Sequence, residues 1–153
     1  MDAAENFRRF TELRLGISGM EIELLTRAET RYATRLIVQQ CQAGVDIFSR
    51  DLDAPLYDQE PFLEALGRSH RLIELSRRLS SVIELRQPHP DYRRHNEAFL
   101  VADGCGLIHR SLADRYEGTA NFYDPVAAQR ALAFFTEVWE RSESSPEFRR
   151  LHL

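Results

Sequence analysis

The stretch that decides the fold is Asn96–Gly104, NEAFLVADG, followed after an interval by Gly118–Phe122, GTANF. Glu97 to Asp103 is an apolar run of strand length rich in residues that suit a pleated surface. Asp103-Gly104-Cys105-Gly106 is a hairpin signal, because Asp and Gly tolerate the backbone a tight turn requires. Leu107 to Arg110 then reads as the returning strand, and GTANF as a small polar loop. Asp103 and Gly104 are therefore the expected structural turn.

Working outward, Asp124-Pro125 precedes a helix expected from about Val126 to Arg141, with Ala128, Leu132, Phe135, Val138 and Trp139 forming its apolar stripe. Upstream, Val82–Arg86 alternates as a strand should, and Pro88 and Pro90 interrupt the chain after it. Helices are expected over residues 61–67 and 70–80, with Gly67-Arg68-Ser69 leaving no room for a strand between them. Val45–Ser49 reads as a strand closed off upstream by Gly44. Ser18 stands three residues before Glu21, a capping-box spacing, so a helix is expected from there to about Gln42, with Leu25, Ala28, Tyr32, Leu36 and Cys41 on one face. Residues 1–17 are a polar segment with scattered aromatics, expected as a loosely attached helix ahead of a domain over residues 18–153. The sum is an α/β domain, a small mixed sheet flanked by helices.

Composition narrows the function classes. A chain of 153 residues with 43% hydrophobic and 29% charged residues fits one globular domain. A formal charge of −4 argues against general nucleic-acid binding. The pairs Arg77–Arg78, Arg93–Arg94 and Arg149–Arg150 have acids interspersed and read as solvated surface. No apolar run reaches the roughly 18–20 residues of a membrane span, and the N-terminus lacks a signal layout. Cys41 and Cys105 match no metal spacing and read as reduced, cytoplasmic thiols. His89, His95 and His109 lack paired ligand spacing. Asp51, Asp53 and Asp58 lack the glycine and glutamate of a calcium loop. No metal or other cofactor is expected, and neither a nucleotide loop nor a serine elbow occurs.

The segment from about Val45 to Trp139 resembles a single phospholipase D-like repeat. Closer still is its similarity to a family of uncharacterised bacterial proteins, a domain of unknown function with that fold, through DIFSRDLDAPLYD, HRLIELSRRL, NEAFLVADG, LADRYEGTANF and FFTEVWERS. Active superfamily members carry His-x-Lys-x-x-x-x-Asp and then Gly-Ser-x-Asn. Aligned on Asp103, this chain has Asn96 at the histidine place and Ala98 at the lysine place. Asn cannot form a phosphoenzyme, and Ala removes the cation that meets the phosphate. Aligned on His95, Glu97 falls at the lysine place and Ala102 at the aspartate place, and a carboxylate there repels a phosphodiester. The Asp103 register is preferred, since a one-residue slip inverts which side chains face the core.

Gly118-Thr119-Ala120-Asn121 matches Gly-Ser-x-Asn with Thr for Ser. The resemblance thus implies a non-catalytic domain in a binding or assembly role, with Asn96, Arg115, Thr119 and Asn121 as an anion-binding set and a homodimer or another protein as partner. A plainer reading has Thr119 and Asn121 only capping the loop and the next helix. The alternative is a residual phosphodiesterase or phosphoryl transferase that uses His95 or His109 as nucleophile beside Thr119 and a cation such as Arg115. A third reading is an interaction module that meets its partner through the N-terminal helix or the helix at 70–80.

Overall fold

A computed structural model describes residues 3–49, 86 and 88–143. In it, five strands form one sheet in the order β1-β5-β4-β3-β2, with β1 Ile22–Leu24, β2 Val45–Phe48, β3 Ala98–Ala102, β4 Gly106–Arg110 and β5 Gly118–Asn121. Every neighbouring pair is antiparallel, so the expected mixed sheet is corrected to an antiparallel one. For β3, β4 and β5 the reason lies in the connections. The β3–β4 turn and the segment between β4 and β5 are too short for the crossover of a dozen or more residues that parallel pairing needs.

Helices cover both faces of β3, which is why AFLVA is buried at every position. Alternation sends Leu100 and Ala102 to one side, where they join Ile108, Ala120 and Ile22 beneath α2, Arg27–Gln40. Phe99 and Val101 go to the other side, with Phe48, Ala128 and Val138, beneath α3, Pro125–Glu140. The hairpin expected at Asp103–Gly106 forms with Leu100 opposite Ile108. Asp124 caps α3 by accepting from Ala127 N–H at 3.0 Å, and Pro125 takes the first turn, where its missing N–H costs nothing.

Two local expectations give way. GTAN, Gly118–Asn121, is strand β5, not a loop: Thr119 lies opposite His109, and Ala120 opposite Ile108. Gly118 permits the approach, since a Cβ there would stand 2.2 Å from the His109 carbonyl oxygen. The single helix expected from Ser18 to Gln42 is instead β1 followed by α2. Its cap is Thr26, whose hydroxyl accepts from Glu29 N–H while the Glu29 carboxylate accepts from Leu25 N–H at 2.7 Å. Thus a Thr-x-x-Glu box eight residues further on wins over Ser18, whose hydroxyl accepts from Arg14 N–H. The fully buried face includes Ala33, Thr34, Ile37 and Val38; of the expected row, Leu25 at 56% and Ala28 are exposed, Tyr32 and Leu36 pack partly buried against the core, and Cys41 is buried.

Helix α1, Ala3–Thr11, is anchored rather than loose. Phe10 is 1% exposed within the core cluster of Ile37 and Val38, and Phe7 meets Tyr32 edge-on at 5.2 Å. The helices expected at 61–67 and 70–80, the strand at 82–86 and the junction between residues 67 and 70 lie outside the described residues, apart from Arg86.

Asp103, in the β3–β4 turn, has a left-handed backbone at φ 51°. Its carboxylate accepts from Gln42 N–H at 2.9 Å, Ala43 N–H at 2.6 Å, Gly44 N–H at 3.1 Å and the Cys41 thiol at 3.1 Å, and its own N–H donates to the Gly44 carbonyl. The α2–β2 connection is thereby pinned to the hairpin. Burial alone would raise the Asp103 pKa, but the thiol and the three amides outweigh it, and the net shift is downward. Burial, then the neighbouring carboxylate, pushes the Cys41 thiol up to about 12, which keeps it protonated as a donor.

Because the folded pKa is depressed, this contribution is present above the unfolded carboxylate value of about 3.9 and is lost as pH falls through the folded value. Asp103→Ala should lower the unfolding free energy at neutral pH by about 2 kcal/mol, a figure reduced by partial solvent exposure. Urea titrations from neutral to strongly acidic pH should show the wild-type advantage disappearing at the acid end. An advantage that persists unchanged there would contradict the assignment.

Candidate functional site

The pairing register places Ala98 on one face of the sheet and Thr119 and Asn121 on the other. Ala98 sits opposite Arg110 on the α2 side and is 1% exposed. Arg110 is itself 2% exposed, and its guanidinium donates to the carbonyls of Ala113 at 3.2 Å and Arg115 at 2.8 Å. The Asn96 carbonyl, two residues ahead of Ala98, accepts from Ala113 N–H. Asn96, Arg110 and the Arg115 backbone therefore clamp the 111–117 segment in its turned shape. The Arg115 side chain lies at the surface, 4.0 Å from Glu117.

Thr119 and Asn121 face the α3 side instead. One row across the sheet runs Phe48, Phe99, His109, Thr119, Glu23, and the next runs Asp46, Val101, Leu107, Asn121. Asn121 is buried and already bonded. Its Oδ1 accepts from Tyr123 N–H at 3.0 Å, and its Nδ2 lies 3.4 Å from the Gly19 carbonyl. This holds the entry to β1 against the turn into α3, whose own cap is Asp124. Of the four expected anion-binding residues, Thr119 and Asn121 share a face of β5, whereas Asn96 and Arg115 enter the clamp through their backbone carbonyls and are themselves exposed.

A constellation that reading the residues singly misses lies on the α3 face. The Glu97 carboxylate has one oxygen 3.3 Å from His109 Nε2 and 3.7 Å from His95 Nε2. The His95 ring stacks on Phe134 with centroids 4.2 Å apart and stands edge-on to Phe48 at 5.6 Å. Its Nε2 is buried without a hydrogen bond. Period-two alternation was the available signal, since Glu97 shares the face of Phe99, and Phe99 pairs with His109. Chemically, a carboxylate between two imidazoles can orient them and hold positive charge, and it opposes an anion at the same place. Among the described residues, no group of three His, Cys, Asp or Glu side chains is arranged to hold a metal ion, and no helix is long and apolar enough to cross a membrane.

Comparison with known proteins finds no matching curated protein and no matching solved structure. One family model does match, over residues 65–151, a span that contains Glu97, Arg110, Thr119, Asn121 and all of α3. With more than half of its length matched, the chain belongs to the family described as Domain of unknown function (DUF7931).

Proposed function

We propose that this chain is a non-catalytic phospholipase D-like domain with a binding or assembly role. One observation carries the reading. The places that hold histidine and lysine in the active motif are Asn96 and Ala98, with Ala98 buried on the α2 side, while Thr119 and Asn121 face the α3 side. A phosphodiester beside Ala98 cannot also meet Thr119 and Asn121, so the chemistry lacks its nucleophile, its cation and a face shared with the Gly-Thr-Ala-Asn segment. A homodimer, which the resemblance suggests because single repeats of the superfamily pair their half-sites, belongs to the same reading.

A second reading uses His109 as the nucleophile, and its position opposite Thr119 favours it. Against it, His109 Nε2 is engaged by Glu97, which would have to be displaced by a substrate it repels.

Turnover of a nitrophenyl phosphodiester should stay at the buffer rate for the wild type. Turnover that His109→Ala or His95→Ala removes, together with a phosphoimidazole signal in 31P NMR, would replace the first reading with the second.

Restoring the motif as Asn96→His with Ala98→Lys should also yield no turnover. The Ala98→Lys change alone should cost on the order of 3 kcal/mol in urea unfolding, because it drives an ammonium into a buried position. A stable, active double variant would contradict the division between faces.

A further inference from the structure

The end of the sheet opposite β2 is built differently from the rest. Helix α3 packs on β2, β3 and β4, and the α3-side face beyond them ends at β1, which among the described residues has β5 as its one strand neighbour. Glu23 stands exposed on that face at the end of the row through Thr119, and Glu21, two residues earlier, is also exposed. Edge strands are commonly protected by shortness and charge, and β1 has both. Its flanks go the other way: Met20, two residues before β1, and Leu25, directly after it, are 63% and 56% exposed, and Ile17 earlier in the chain is 77% exposed. A strand edge framed by apolar side chains is a docking edge when a partner satisfies its charges.

Resting on the binding reading above, we propose that β1 accepts an added strand from a protein partner, an extended segment that alternates basic and apolar residues. The alternation follows from the sheet's period of two. Side chains of an added strand on the α3 side would lie beside Glu21 and Glu23 and must be cationic to offset them. Those on the α2 side continue the buried apolar row of Ile22 and Leu24. A second copy is the wrong occupant. Antiparallel self-pairing that keeps the faces matched sets residues of equal parity opposite one another, so Glu23 meets Glu23 or Glu21. A nucleic acid is excluded by the same charges.

The test uses the full chain with a fluorescein-labelled, end-capped octapeptide of alternating Lys and Val, and its Glu–Val counterpart as control. Fluorescence anisotropy should show saturable binding of the Lys–Val peptide that weakens with salt and is absent for the control. Glu21→Lys with Glu23→Lys, at exposed positions that leave the core untouched, should weaken it roughly ten-fold or more. Hydrogen exchange should slow at those amides of residues 20–24 that do not already donate to β5, Leu25 N–H being held by Glu29. Absent saturation, equal binding by the charge-reversed variant, or protection confined to other strands would overturn the proposal. None of these outcomes bears on phosphodiester turnover, so the two readings fail separately.

Discussion

The Asp103 carboxylate, seated on the amides of Gln42, Ala43 and Gly44, is the contact on which the arrangement of layers depends. Those amides follow the last turn of α2, and Asp103 follows the last residue of β3, so one side chain fixes how the helix leaves the sheet and where β2 begins. The carboxylate also satisfies donors that the turn would otherwise leave unpaired. Its left-handed backbone, tolerable for Asp, closes the hairpin at the same time. Once hairpin and connection are locked together, the pairing of Val45 with Ala102 and of Phe48 with Phe99 sets the register of β2, and with it which residues lie beneath each helix.

That register has a chemical consequence. In a two-sided sheet, parity is destiny for a side chain: Ala98, Leu100 and Ala102 are committed to the α2 core, and Glu97, Phe99 and Val101 to the α3 face. The space beside Ala98 holds the buried Arg110, whose guanidinium is spent on loop carbonyls. On the α3 side Glu97 sits between His95 and His109, and Glu23 stands exposed at the end of the row that runs through His109 and Thr119. An acidic, imidazole-bearing shelf suits cationic side chains of a partner better than a phosphate.

Much of the fold was legible in the sequence because it rests on local rules. The Asp-Gly turn, the apolar run after Glu97 and the Asp-Pro start of α3 each carry their own signal. Three features were not legible, for separate physical reasons. Ser18 and Thr26 both begin a box ending in Glu, and the choice between them is made by β1 pairing with β5, a contact across nearly a hundred residues. GTAN is short and polar, so only the closeness that Gly118 allows to His109 makes it a strand. The candidate site depended on parity across three strands: Thr119 and Asn121 could be named from the motif, but that they face away from Ala98 follows only from the register.

The division of Ala98 from Thr119 and Asn121 between faces can be measured directly. In a methyl-labelled sample, nuclear Overhauser contacts should join the Ala98 methyl to the Arg110 side chain and the Thr119 methyl to the His109 imidazole, as their cross-strand pairing requires. A one-residue slip in the β3–β4 hairpin would bring His109 opposite Ala98. A contact between the Ala98 methyl and the His109 ring, with the Arg110 contact missing, would contradict the central claim.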